Sequence, residues 1–135
     1  MSVELPPDVA VFIGAARVAR LATLTPEGDL HVVPVCPVLD RDRLLVATEP
    51  TRKVRNLRAN PHVGLAFDDY AEDWSRLRGV SVSGIARVHD AGAVWDRGRD
   101  LLYEKFPQYP AEAEIVGGRT LMIEIELGWV SRGGL

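Results

Sequence analysis

The chain has 135 residues, a hydrophobic fraction of 47% and a formal net charge of -3, which fits one domain with a real core over residues 1–135 and leaves no room for two. This balance excludes a polybasic nucleic-acid surface and an acidic tail, and no apolar stretch approaches the length that spans a bilayer. Cys36 is the only cysteine, so no internal disulfide is possible and the composition suits a reducing cytoplasm. Residues 1–8 carry no basic segment followed by an apolar run, so no signal peptide is expected.

Pro6-Pro7-Asp8 opens a helix on which Val9, Phe12, Ile13 and Ala16 share one face. Residues 18–25 read as a strand, closed by the turn Thr25-Pro26-Glu27-Gly28. Residues 30–39 form a second strand, Asp40-Arg41-Asp42-Arg43 a turn, and residues 44–48 a third strand ending in Thr48 before Pro50. A short helix follows from Thr51 and stops at Asn60-Pro61. Residues 62–68 are a strand ended by an acidic loop through Asp73. Residues 80–88 alternate at period two, residues 91–106 are helical, and residues 120–127 are a last strand with Trp129 beyond it. Six short strands with peripheral helices indicate a mainly β (α+β) fold, a small barrel or sandwich.

Two segments carry chemistry. The first is Thr51-Arg52-Lys53-Val54-Arg55-Asn56-Leu57. A helix start presents free N–H groups and the positive end of its dipole. A capping hydroxyl on Thr51 and the adjacent cations Arg52 and Lys53 would complete a receptor for a phosphate monoester; a solvated basic first turn is the alternative. Lys53 stands out because the chain has two lysines, Lys53 and Lys105, beside fourteen arginines. The second is the run over residues 30–39, apolar on both faces apart from His31. One face suits the barrel core. The other needs a partner subunit, an apolar ligand or one of the chain's own helices. Pro34 and Pro37 also interrupt its ladder of N–H donors, leaving backbone groups to which a flat ring could bind.

The remaining signals are weaker. His31, His62 and His89 lack metal-ligand spacing, so no metal site is expected. The acidic residues 68–73 read as a solvated loop, and Cys36 as a buried small apolar residue rather than a reactive thiol. Trp74 is a surface aromatic, a dimer contact or a lid over a ring. No nucleophile pattern is present.

Taken in order, Arg20-Leu21-Ala22-Thr23-Leu24, Glu27-Gly28, His31-Val32-Val33-Pro34-Val35, Arg52 to Leu57, Asn60-Pro61 with Val63, and Val82-Ser83-Gly84-Ile85-Ala86 resemble the pyridoxamine 5'-phosphate oxidase-like split β-barrel proteins. Asp69 to Ser75 and Tyr103 to Tyr109 are similar to a small actinobacterial branch of deazaflavin (coenzyme F420)-dependent oxidoreductases. The resemblance implies a six-stranded split barrel of the FMN-binding type and a homodimer with two cofactor sites at the interface. It implies F420, with FMN as the alternative, and a small-molecule substrate. It places the phosphate on Arg52 and Lys53 with Thr48, Thr51 and Asn56 nearby. The ring falls against Val33, Pro34, Val35 and Cys36, and Trp74 and Arg78 close the pocket or come from the neighbouring subunit. Tyr70 is a candidate proton donor, and no catalytic acid or base is required. A non-catalytic carrier of flavin, deazaflavin or haem on the same fold is the alternative. The vitamin-forming oxidases of the family carry a longer C-terminal segment that grips the substrate phosphate. The sequence given ends at Leu135, so oxidation of pyridoxamine phosphate is not expected.

Overall fold

Pro37 sets the strand count. The apolar run expected as one strand over residues 30–39 is two, β2 (Leu30–Val35) and β3 (Val38–Asp40), parted at Cys36 and Pro37. Proline has no N–H for a ladder, so pairing cannot run through it. The computed structural model describes residues 3–135 and therefore has seven strands in place of six. Met1 and Ser2, at the head of the segment judged for a signal peptide, lie outside the described residues.

In chain order the elements are α1 (Pro7–Ala15), β1 (Ala19–Leu24), β2, β3, β4 (Arg43–Thr48), α2 (Arg52–Ala59), β5 (His62–Asp69), β6 (Arg78–His89), α3 (Ala93–Lys105), α4 (Tyr109–Glu112) and β7 (Leu121–Gly133). All pairings are antiparallel, in the order β2-β1-β5-β6-β7-β4-β3. That order demands a curled sheet. β2 and β3 are joined by two residues, yet they hold opposite edges. In a flat seven-stranded sheet the edges would stand about 29 Å apart, whereas a two-residue link reaches only about 10 Å. The sheet therefore bends into a half-barrel whose edges approach each other at Cys36 and Pro37. This is the split barrel.

The curl sorts the side chains. Leu21, Val35, Leu44, Val46, Leu65, Phe67, Val82, Ile123 and Ile125 fill the interior, joined by Val9 and Ile13 of α1 and Leu57 of α2. A second cluster lies outside β3, β4 and β7, where Val38, Leu45 and Met122 meet Trp95, Leu102 and Phe106 at α3. The two halves of the doubly apolar run thus have different fates. β3 is covered by α3. On β2, His31, Val33 and Val35 are turned towards the core while Leu30, Val32 and Pro34 are exposed.

β6 and β7 outrun the expected strands because a bulge lets pairing continue. Ser83 faces Trp129 and Gly84 faces Leu127, so Gly128 is the extra residue and the ladder resumes beyond it to Gly133. Asp68 and Asp69 belong to β5, leaving a shorter loop and a one-turn 3-10 helix at Trp74–Arg76. No helix among the described residues is long and apolar enough to cross a membrane.

Candidate functional site

The end of β2 meets the start of α2 at a groove. Val18, Pro34, Val35, Cys36, Val46, Ala47, Lys53 and Tyr109 line a cavity of about 300 Å³. The wall expected from residues 34–36 and the expected anchor Lys53 are therefore brought together. Val33 is not in that lining; two residues before Val35 on the same side of β2, it packs against the barrel core, and Cys36, expected to be buried, is exposed. Val18, Val46, Ala47 and Tyr109 were not foreseen as site residues. Val46 and Ala47 arrive through the β4–β7 pairing and Tyr109 through α4. These long-range placements leave no local sequence signal.

The face arithmetic of α2 explains Lys53. At about 100° per residue, Lys53 falls within the same arc as Val54, Asn56 and Leu57, and those three are buried. Arg52, Arg55 and Arg58 fall on the other arc and are exposed. Lys53 is consequently half-buried, and burial lowers its pKa from the ordinary lysine value. Its Nζ donates to Thr51 Oγ1 at 3.2 Å, and among the described residues no carboxylate pairs with it. A half-buried ammonium without a counter-ion, beside a largely aliphatic wall, fits a ring carried on a phosphate ester.

Four residues in or beside this segment sit otherwise than expected. Thr51 occupies the N-cap position, but its side chain makes no capping hydrogen bond; the hydroxyl accepts from Lys53 instead. The N–H groups of Val54 and Arg55 donate to the Thr51 carbonyl, and those of Arg52 and Lys53, with no side-chain cap, remain open to an anion. Arg52 does not share the groove with Lys53. With Pro50, Thr51, Val54, Arg55 and Arg58 it lines a separate cleft of about 480 Å³ on the outer side of α2. Asn56 is fully buried, and its Nδ2 donates to Thr23 Oγ1 at 3.0 Å, which ties α2 to β1 rather than to a ligand. Thr48 is also buried, and its hydroxyl donates to the Glu49 carbonyl at 2.8 Å, closing the turn into α2.

Trp74, Arg78 and Tyr70 lie at the β5–β6 hairpin and do not line the groove of their own chain. Arg78 pairs with Asp69 at 2.5 Å and lies 5.1 Å from the Phe12 ring centroid. Trp74 is 73% exposed. Its Nε1 donates to the Tyr70 hydroxyl at 3.4 Å, and that hydroxyl donates to Glu72 Oε2 at 3.4 Å. No histidine lines the groove: His89 pairs with Glu124 at 2.9 Å, and His62 is on the outer face of β5. No cluster of metal-ligating side chains occurs among the described residues.

Comparison with known proteins agrees with this fold. Three solved structures share the fold. A conserved hypothetical protein of Mycobacterium tuberculosis is 20% identical, with a TM-score of 0.82 over 97% of this chain and 85% of that one. The heme storage protein HutZ of Vibrio cholerae is 16% identical, with a TM-score of 0.78 over 96% and 94%. A FAD-binding protein of Mesorhizobium loti is 22% identical, with a TM-score of 0.74 over 95% and 94%. No curated protein matches. The sequence profile described as pyridoxamine 5'-phosphate oxidase matches residues 5–131, and the chain belongs to that family.

Proposed function

We propose that the groove binds a flavin-type cofactor, coenzyme F420 in preference to FMN, and that the protein is an oxidoreductase moving a hydride between that cofactor and a small organic substrate. The observation that carries this reading is Lys53: a half-buried cation without a carboxylate partner, set beside the wall of Pro34, Val35 and Cys36. The hydride chemistry is the cofactor's own when it is bound. The chain's residues bind and orient. Lys53 and the uncapped start of α2 hold a phosphate, and Val18, Pro34, Val35 and Val46 give a ring an apolar bed that excludes water. F420 is preferred because it carries a polyglutamate tail. Arg52, Arg55 and Arg58 line the adjoining side of α2, and none of them forms an ion pair among the described residues. A small-molecule partner and a homodimer complete the reading. Trp74 and Arg78, remote from their own groove, would then serve the groove of a second copy.

Haem binding is the second reading. Cys36 and Tyr109 both line the groove and are haem-ligand types. Burial raises the Tyr109 pKa, with a smaller contribution from Cys36, which disfavours a tyrosinate ligand. Titration with FMN, F420 and haemin, followed in the visible range, separates the readings. Saturable binding of F420 or FMN, followed by turnover of a substrate panel with the reduced cofactor, is the expected result. A Soret shift with haemin and no response to either flavin-type cofactor would establish a haem protein instead.

A further inference from the structure

A second cavity adjoins the groove. Arg17, Val18, Cys36, Lys105, Phe106, Pro107 and Gln108 line about 490 Å³ of space, and Val18 and Cys36 belong to both cavities. Its chemistry differs from the groove's. Two cations face it, and neither forms an ion pair with a carboxylate among the described residues. Arg17 Nη1 donates to the Lys105 carbonyl at 2.8 Å, and its guanidinium lies 5.4 Å from the Phe106 ring centroid. That leaves most of its five donors free. Lys105 Nζ donates to the carbonyls of Ala16 at 2.6 Å and Pro37 at 2.8 Å, leaving one of its three protons. The pKa of Lys105 falls to about 8, through burial first and the neighbouring charge of Arg17 second. Two cations held together without an acid have a standing electrostatic cost that an incoming anion removes. Val18, Phe106 and Pro107 supply apolar contact for the body of such a ligand.

We infer that this cavity is the substrate end of the site and that it takes a small ring-bearing carboxylate, gripped by Arg17 with the help of Lys105. The inference rests on the cofactor reading above, since the shared Val18 and Cys36 would set the ring of the substrate beside that of the cofactor. The planar fork of a guanidinium suits a carboxylate better than a point charge does.

The test has two stages on the intact chain. Cofactor binding is first measured by visible titration. The cofactor-loaded protein is then titrated with benzoate and with benzamide, which share a ring and differ in charge. Perturbation of the cofactor band and the backbone amide shifts of Val18, Cys36 and Gln108 are followed. Benzoate should bind on the order of tenfold tighter than benzamide, as one charge-assisted hydrogen bond allows. Arg17→Gln should abolish that preference with cofactor affinity unchanged, and Arg17→Lys should restore part of it. If cofactor binds but benzoate has no advantage over benzamide, or Arg17→Gln leaves the advantage intact, the substrate assignment is wrong while the cofactor reading stands. If no cofactor binds in the first stage, the cofactor reading fails and the substrate assignment falls with it.

Discussion

The chain's two lysines show how burial and partners divide roles. Lys53 and Lys105 are both half-buried, and burial is the largest cause of the lowered pKa of each. Lys53 has one hydroxyl for company, whereas Lys105 holds the carbonyls of Ala16 and Pro37. On the proposed reading Lys53 is the residue that binds the cofactor, whereas Lys105 holds the crossing between β2 and β3 in place. Lys53→Ala should weaken cofactor binding by about ten- to a hundredfold, the value of one charge-assisted hydrogen bond at roughly 1.5–3 kcal/mol. Its thermal midpoint should stay near wild type, because its one hydrogen bond is to the exposed Thr51 hydroxyl and the cation opposes the helix dipole. Unchanged affinity for both F420 and FMN in equilibrium titration would show that the anchor is elsewhere. For Lys105 the sign of the pH effect is opposite to that of a salt-bridged lysine. Its folded pKa of about 8 lies below the ordinary lysine value of 10.5. Between those values the unfolded chain binds the extra proton, so stability rises with pH there. The urea midpoint of wild type minus that of Lys105→Met should rise from about pH 8 to pH 10.5; a difference that falls over that range contradicts the assignment.

At the level of elements, the bulge between β6 and β7 is the feature on which the long strands depend. A Cβ on Gly84 would stand 2.4 Å from the Glu126 carbonyl oxygen and 3.1 Å from Ile125 Cγ2. A backbone oxygen in a ladder has nowhere to go, so Gly84→Ala should cost about 1–3 kcal/mol, the usual range for overpacking. Gly133, on the same ribbon, has nothing within 4 Å of its own Cβ position, and Gly133→Ala should change stability by less than about 0.5 kcal/mol. Urea unfolding of the pair checks both, and equal midpoints would remove the bulge from the account. The strands themselves were largely legible. Alternation along β6 and the turn at Thr25 to Gly28 locate strands from local chemistry alone. What local chemistry hides is continuation. Gly128 resembles a stop, yet it is the spare residue of a bulge. Pro37 resembles an irregularity within one strand, yet it marks the passage between two edges of the sheet. Lys53 reads from the sequence as a first-turn cation, but its inward position follows from the buried arc of α2 that Val54 and Leu57 fix. The same arc turns Arg52 away and buries Asn56, so reading the segment as one cap with a run of neighbours put too many residues on one phosphate. Tyr109, Val46 and Ala47 reach the groove only through tertiary packing, which no short segment encodes.

On the scale of the whole molecule, one side of the half-barrel has no cover in the single chain. The register sets Val32, Ala22, Gly64, Ser83 and Trp129 in one row across β2, β1, β5, β6 and β7. Its middle members are small, and its ends are a valine 59% exposed and a tryptophan 55% exposed. Leu30 at 75% and Ile85 at 40% extend the apolar area into the next row along. A shallow trough with large apolar rims is self-complementary under a two-fold axis, since the rim of one copy can enter the trough of the other. The chain's own helices cannot fill it: α3 covers the second cluster outside β3, β4 and β7. We predict a homodimer through this face, with an interface above roughly 2,000 Å², the class of obligate pairs. Pro34 lies on the same outer side of β2 and lines the groove, so dimer and cofactor site should be coupled. Light scattering should give twice the chain mass of 14.8 kDa at micromolar concentration. Val32→Asp, which puts a charge at the rim, should shift the protein towards monomer and weaken cofactor binding together, although Val32 lines neither cavity. A wild-type monomer at that concentration would refute the dimer. A Val32→Asp monomer that binds cofactor with full affinity would show instead that each groove is complete within its own chain.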